Sequence, residues 1–163
     1  MKLRDISKRQ LAITSALTAV VAVAGSVATD PKSDWYRSLD LPDWQPPGWA
    51  FPVVWTTLYT DIAVTSAKVL TELDAESGRE NADAYRRALL VNLTLNKAWS
   101  WVFFRFHKLG AATVVAALLA GSSIDLARRA GRAGSGMGAA LVPYAAWCTF
   151  ATVLTETIRR RNS

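Results

Sequence analysis

Five apolar runs separated by charged segments dominate the 163-residue sequence. They cover residues 11–28, 49–70, 85–106, 110–127 and 137–158, and a helix of about 20 residues is long enough to cross the ~30 Å hydrocarbon core of a bilayer. A soluble helical bundle would carry a charged face at helical spacing, and runs such as LAITSALTAVVAVAGSVA carry none. The sequence therefore predicts an all-α membrane protein, a single domain built as a bundle of five transmembrane helices.

Composition and charge exclude several other classes. The chain is 51% hydrophobic, contains seven tryptophans and has a net charge of +6, but no basic stripe interleaves with aromatic residues, so nucleic acid is not an expected partner. Its one cysteine, Cys148, excludes an internal disulfide and any CxxC metal or haem motif. No metal cluster, nucleophile–base set or carboxylate pair indicates hydrolytic or metal catalysis.

The first run has two interpretations. MKLRDISKRQ resembles the basic segment of a signal peptide, and Ser26-Val27-Ala28 resembles a cleavage site. The apolar run is longer than is usual for a signal peptide, and we favour an uncleaved helix.

The basic residues predict an orientation, because cytoplasmic loops of membrane proteins are enriched in Lys and Arg. Eleven lie before run 1, around loop 2 (71–84) and in loop 4 (128–136), against seven on the opposite side. The bias predicts a multi-pass protein with a cytoplasmic N-terminus and the first loop outside. The eleven are Lys2, Arg4, Lys8, Arg9, Lys68, Arg79, Arg86, Arg87, Arg128, Arg129 and Arg132.

Three runs carry aromatic and polar residues on one helical face. Such faces are usual in helix packing, but three of them favour a pocket, because ligand sites are largely apolar with a few convergent polar groups. The expected ligand is large, flat and lipophilic. The faces are Trp55 with Tyr59, then Asn92, Asn96, Trp99 and Phe103, and finally Trp147, Ala151 and Thr155.

The segments WYRSLDLPDWQPPGWAFPVVWTTLY, LNKAWSWVFF and VPYAAWCTFATVL, with Asn162 near the end, resemble the TspO/translocator protein family. The resemblance implies a five-helix bundle, commonly a homodimer, that binds porphyrins or haem-type tetrapyrroles and requires no cofactor or metal. It implies that the first loop closes over the pocket. The pocket residues it implicates are Tyr36, Trp44, Trp55, Tyr59, Asn96, Trp99, Trp147 and Ala151.

Three classes of function remain open. The resemblance implies a porphyrin-binding sensor or translocator, or a light-dependent porphyrin-degrading enzyme in which Trp55 and Trp147 are the candidate catalytic residues. The third class is a membrane structural module without a ligand. We make no prediction about sterol binding, because Glu156 occupies the tyrosine position of the family's proposed cholesterol motif, and that motif is a weak pattern even when intact.

Two charges within the runs need partners. Asp61 and Lys97 are predicted to lie at similar depth in neighbouring helices, and an unpaired charge inside a bilayer is costly. We therefore expect a buried ion pair between them. His107, at the end of the third run, is expected to be an interfacial residue rather than a haem ligand.

Overall fold

The computed structural model describes residues 6–76 and 78–163, which form six α-helices and no strand. The all-α class is confirmed, and the predicted count of five is wrong by one because the first loop contains a four-residue helix. Lys2 and Arg4 of the charge count lie outside the described residues. The helices are α1 Lys8–Ala28, α2 Asp34–Arg37, α3 Ala50–Glu76, α4 Gly78–Ser100, α5 Leu109–Ala133 and α6 Ser135–Arg161, with a π-helical turn, Trp101–Arg105, directly after α4.

The connections on the predicted cytoplasmic side are shorter than the sequence indicates. Loop 2 and the glycine-rich segment 128–138 are largely helical, and Gly134 alone separates α5 from α6. Gly131 and Gly138 of this segment serve close packing rather than flexibility. A Cβ added to Gly138 would lie 2.8 Å from the Cα of Gly131, so the two backbones touch where the helices meet.

Three of the helices in the described part of the chain are long and apolar enough to cross a membrane, namely α1, α5 and α6. The other two long helices are more polar. Acidic residues occupy the end of α3 and a charged segment begins α4, so the predicted spans 49–70 and 85–106 extend as helices beyond their apolar parts.

The five long helices pack in a ring. Following the contacts between neighbours, the order is α1, α3, α6, α5 and α4, and α4 returns to α1. The α5–α6 contact is the most extensive, as expected for two helices joined by one residue. At the other end of the bundle, Trp35 and Tyr36 of the first loop pack on a cluster around Phe103.

The predicted ion pair between Asp61 and Lys97 does not form. Asp61 accepts a hydrogen bond from Thr65 at 2.8 Å, and Lys97 is exposed, with no ion pair among residues 6–76 and 78–163. Tyr59 points from α3 to Asn96 on α4, and Asp61 lies two residues further, roughly 200° around the helix. Asp61 therefore lies on a different face of α3 from Tyr59, so similar depth does not bring the two charges together.

Candidate functional site: an aromatic cavity under the first loop

A cavity of about 640 Å³ lies between the first loop and helices α1, α3, α4 and α6. Its walls are mainly aromatic and aliphatic, with a few hydroxyl and amide groups. This composition is typical of sites for small lipophilic ligands. The lining residues are Ala22, Gly25, Ser26, Thr29, Pro31, Tyr36, Leu41, Gln45, Gly48, Phe51, Pro52, Trp55, Tyr59, Asn96, Trp99, Ser100, Phe103, Phe104, Leu154, Thr155 and Ile158.

Five of the eight residues predicted from the sequence line this cavity. They come from three separate parts of the chain. Within each helix the residues share a face, because helical spacing places residues three or four apart on the same side. Their contribution is two indoles, two phenols and one amide. The five are Tyr36 from the first loop, Trp55 and Tyr59 from α3, and Asn96 and Trp99 from α4.

The other three predicted residues lie next to the cavity rather than on its wall. Trp147 packs edge-on against Trp55, with ring centroids 6.4 Å apart and planes at 87°. Trp44 is half-exposed and packs on Phe150 at 5.9 Å. The Ala151 carbonyl oxygen accepts a hydrogen bond from the Thr155 hydroxyl, with 2.7 Å between the two oxygens. Trp147 thus supports the ring of Trp55 from behind.

Two stacked ring pairs form flat apolar surfaces in the cavity. The rings of Trp55 and Tyr59 stack at 5.5 Å and 29°, and those of Trp99 and Phe103 stack at 5.4 Å and 24°. The Trp99 indole also donates a hydrogen bond to the Thr155 hydroxyl at 3.3 Å. Stacking and this hydrogen bond hold the rings in position before any ligand enters.

A chain of hydrogen bonds runs from the cavity into the centre of the bundle. Tyr59 donates to the Asn96 Oδ1 at 2.7 Å, and Asn96 donates to the Tyr144 hydroxyl at 3.2 Å. Tyr144 donates to Asn92 at 2.8 Å, and Asn92 donates to the Ser123 hydroxyl at 3.0 Å. The bonds all run in one direction, and aligned bonds polarise each other in a low-dielectric interior. The chain joins α3, α4, α6 and α5.

The first loop is fastened over the cavity at two places. On one side, the Trp35 ring stacks on His107 at 4.0 Å and 12°, and His107 has a positive φ of 56°. On the other side, the Asp40 amide donates to Asn162 Oδ1 at 2.9 Å, and Asn162 Nδ2 donates back to the Asp40 carbonyl at 3.0 Å. We call this second contact, completed by the Arg161–Asp40 ion pair at 3.1 Å, the latch.

His107 is exposed, lies outside the cavity wall and stacks its ring on that of Trp35. Among residues 6–76 and 78–163, no group of three His, Cys, Asp or Glu side chains could hold a metal ion. The residues on the cavity wall offer stacking, apolar contact and a few hydrogen bonds.

The sequence did not indicate the wall that α1 contributes. Ala22, Gly25 and Ser26 line the cavity and recur at steps of three and one, but small side chains in an apolar run look like ordinary helix packing. Gln45 was also missed. It donates to the Tyr36 hydroxyl at 3.1 Å, and its Oε1, like the Trp147 indole nitrogen, is buried without a hydrogen-bond partner among the described residues.

Known proteins resemble this chain over most of its length. A sequence model described as the TspO/MBR family matches residues 13–161. The chain is 33% identical over 155 residues to the tryptophan-rich protein TspO of Chlorobaculum tepidum, covering 93% of this chain and 95% of the relative. It is 36% identical over 132 residues to the uncharacterized membrane protein YtaB of Bacillus subtilis, covering 79% and 81%. It is 32% identical over 128 residues to the human translocator protein, covering 78% and 75%.

The match begins within α1 and includes the other four long helices in full, together with the loop that covers the cavity. With helices apolar enough to cross a membrane, this integral membrane protein belongs to the TspO/MBR family.

Proposed function

We propose that the protein binds a porphyrin or a haem-type tetrapyrrole in the cavity and acts as a sensor or translocator for it. The observation that carries the proposal is the pair of stacked ring systems, Trp55–Tyr59 and Trp99–Phe103, within one cavity of about 640 Å³. A flat macrocycle can bury both of its faces against such rings. Each aromatic contact contributes about 1 kcal/mol beyond the burial of apolar area.

The polar groups fit a ligand with an apolar body and a few polar substituents. The Tyr59 hydroxyl and the Asn96 amide line the cavity on one side, and Thr155 lines it on another. Each already has a hydrogen-bond partner inside the protein, so an apolar ligand leaves none of these three groups unsatisfied. The latch and the Trp35–His107 stack support a role for the first loop as a lid.

The test is a spectral titration of the purified protein with protoporphyrin in detergent, in the dark. We expect a saturable shift of the porphyrin absorbance, and a Kd raised roughly fivefold or more in Trp55→Ala, because one aromatic contact is lost. Trp49→Ala is the matched control, since Trp49 is 72% exposed and lies outside the cavity wall. A wild-type protein without a saturable shift would favour the ligand-free structural module. An equal loss in both variants would place the binding elsewhere.

A light-dependent oxidative breakdown of porphyrin is the second candidate. It is favoured by the contact of Trp147 with the back of Trp55, since two indoles in contact place an oxidisable pair beside a bound macrocycle. Products are compared by chromatography after equal illumination of porphyrin with protein and with empty micelles, in the presence of dioxygen. We expect Trp55→Phe with Trp147→Phe to abolish the protein-dependent products while the protein stays folded. Products unchanged from wild type would remove both residues from the chemistry.

We further propose that the N-terminus is cytoplasmic, that the first loop and the cavity mouth lie outside, and that the protein forms a homodimer. The proposed orientation rests on the distribution of Lys and Arg between the two sides. The homodimer rests on the family resemblance.

A further inference from the structure

A second cavity lies on the outer surface of the bundle, in the groove between α5 and α6. It has a volume of about 370 Å³ and shares no lining residue with the cavity under the first loop. Ala127, Ala145 and Ala146 line it with small side chains, while Val142 and Thr149 of α6 line it with larger ones. From Val142 to Thr149 the wall extends about 10 Å along the helix. A narrow apolar groove of this kind accommodates part of an acyl chain.

Arg128 stands at one end of this groove. It lies 19 residues after Leu109, the first residue of α5, which is about 28 Å along the helix axis and close to the thickness of the hydrocarbon core. The C-terminal part of α5 lies beside the N-terminal part of α6, so Arg128 is next to the Val142 end of the groove. Its guanidinium is thus placed at the level of lipid headgroups.

Two arginines at this end lack an acidic partner. Arg129 is paired with Asp125 at 2.7 Å, but Arg128 and Arg132 are exposed and form no ion pair with any residue of 6–76 or 78–163. Arg128 and Arg132 are four residues apart on one helical face, where like charges repel. An anion between them would relieve the repulsion.

We propose that this groove binds one anionic phospholipid, with an acyl chain between α5 and α6 and its phosphate at Arg128 and Arg132. Charge complementarity selects an anionic headgroup, because basic pockets between membrane helices bind such lipids. The site is separate from the tetrapyrrole cavity and does not depend on the proposed function.

The test uses native mass spectrometry of the full chain, with dioleoyl phosphatidylglycerol and dioleoyl phosphatidylcholine as probes. The two lipids have identical acyl chains, so a difference reports the headgroup. We expect the first phosphatidylglycerol to bind at least about tenfold more tightly than phosphatidylcholine. Arg128→Gln and Arg132→Gln should each weaken phosphatidylglycerol roughly fivefold and leave phosphatidylcholine unchanged.

Arg87→Gln is the matched control. Arg87 is exposed, belongs to the same predicted side of the membrane and has no ion pair among the described residues, so its loss should not change the affinity. A second variant, Ala146→Leu, fills the groove and should weaken both lipids. The side chains of Arg87 and Ala146 are both exposed, so we expect both variants to fold. Thermal unfolding checks this.

Three results would overturn the proposal. The first is equal binding of the two lipids by the wild type. The second is a loss in Arg87→Gln as large as that in Arg128→Gln, which would mean a diffuse effect of positive charge. The third is the loss of a dimer in Ala146→Leu with unchanged lipid binding, which would assign the groove to a second copy of the chain.

Discussion

Asn96 is the residue at which the cavity wall and the buried hydrogen-bond chain meet. Its amide accepts from Tyr59 and donates to Tyr144, and its side chain is almost fully buried. Asn96→Ala removes one hydrogen bond from each of these hydroxyl groups, and that of Tyr144 belongs to a fully buried residue. We expect a loss of about 1–2 kcal/mol in the free energy of unfolding, measured by thermal unfolding in one detergent.

The control for this prediction is Thr94→Ala on the same helix. Thr94 is exposed, and its hydroxyl donates only to the Leu90 carbonyl of its own helix, so little change is expected. If the two variants lose equal stability, the hydrogen-bond chain does not stabilise the bundle.

Chemistry and spacing together placed several residues on the cavity wall, while a role of these residues in ligand binding stays a prediction. Tyr59, Asn96 and Trp99 line the cavity as their helical faces predict. Helical spacing gives a direction but no distance, so it could not separate Trp55 on the wall from Trp147 behind it.

At the scale of elements, the contact between α5 and α6 depends on two facing glycines. A Cβ at Gly138 would meet the Gly131 Cα at 2.8 Å and the Ala127 carbonyl at 3.0 Å. These are backbone atoms and cannot move aside without separating the helices. We expect Gly138→Ala to lower the free energy of unfolding by about 1–3 kcal/mol, with thermal unfolding as the measurement.

Gly136→Ala provides a control two residues away in the same helix. A Cβ there meets nothing within 4 Å, and alanine is the better helix former by about 1 kcal/mol. This variant should be neutral or slightly more stable than the wild type. A Gly138→Ala protein of equal stability would contradict the close packing.

Element boundaries were less predictable than element existence. The apolar runs indicated every long helix, because a chain in lipid must satisfy its backbone within helices. They could not indicate where the helices end, because α3 and α4 continue through polar residues such as Glu76 and Arg79. A helical segment that is in contact with water needs no apolar side chains. The short α2 was missed because four residues are too few to show a period.

For the whole molecule, the orientation in the membrane is the prediction to test. In a Cys148→Ser background, a single cysteine at Ser38 should react with a membrane-impermeant reagent added outside intact cells, and one at Ser135 should not. Both positions are exposed, so accessibility differs only by the side of the membrane. The reverse pattern would show that the charge bias gives the wrong orientation.

The latch has a consequence for the order of events during synthesis. Asp40 and Asn162 are 122 positions apart in sequence, and a ribosome makes roughly 5–20 residues per second. The lid can therefore not be fastened on this side until α6 has been made and inserted, several seconds after the first loop emerges. Throughout that interval the cavity also lacks the wall that Leu154, Thr155 and Ile158 of α6 provide, so the ligand site is completed and fastened in the same late step.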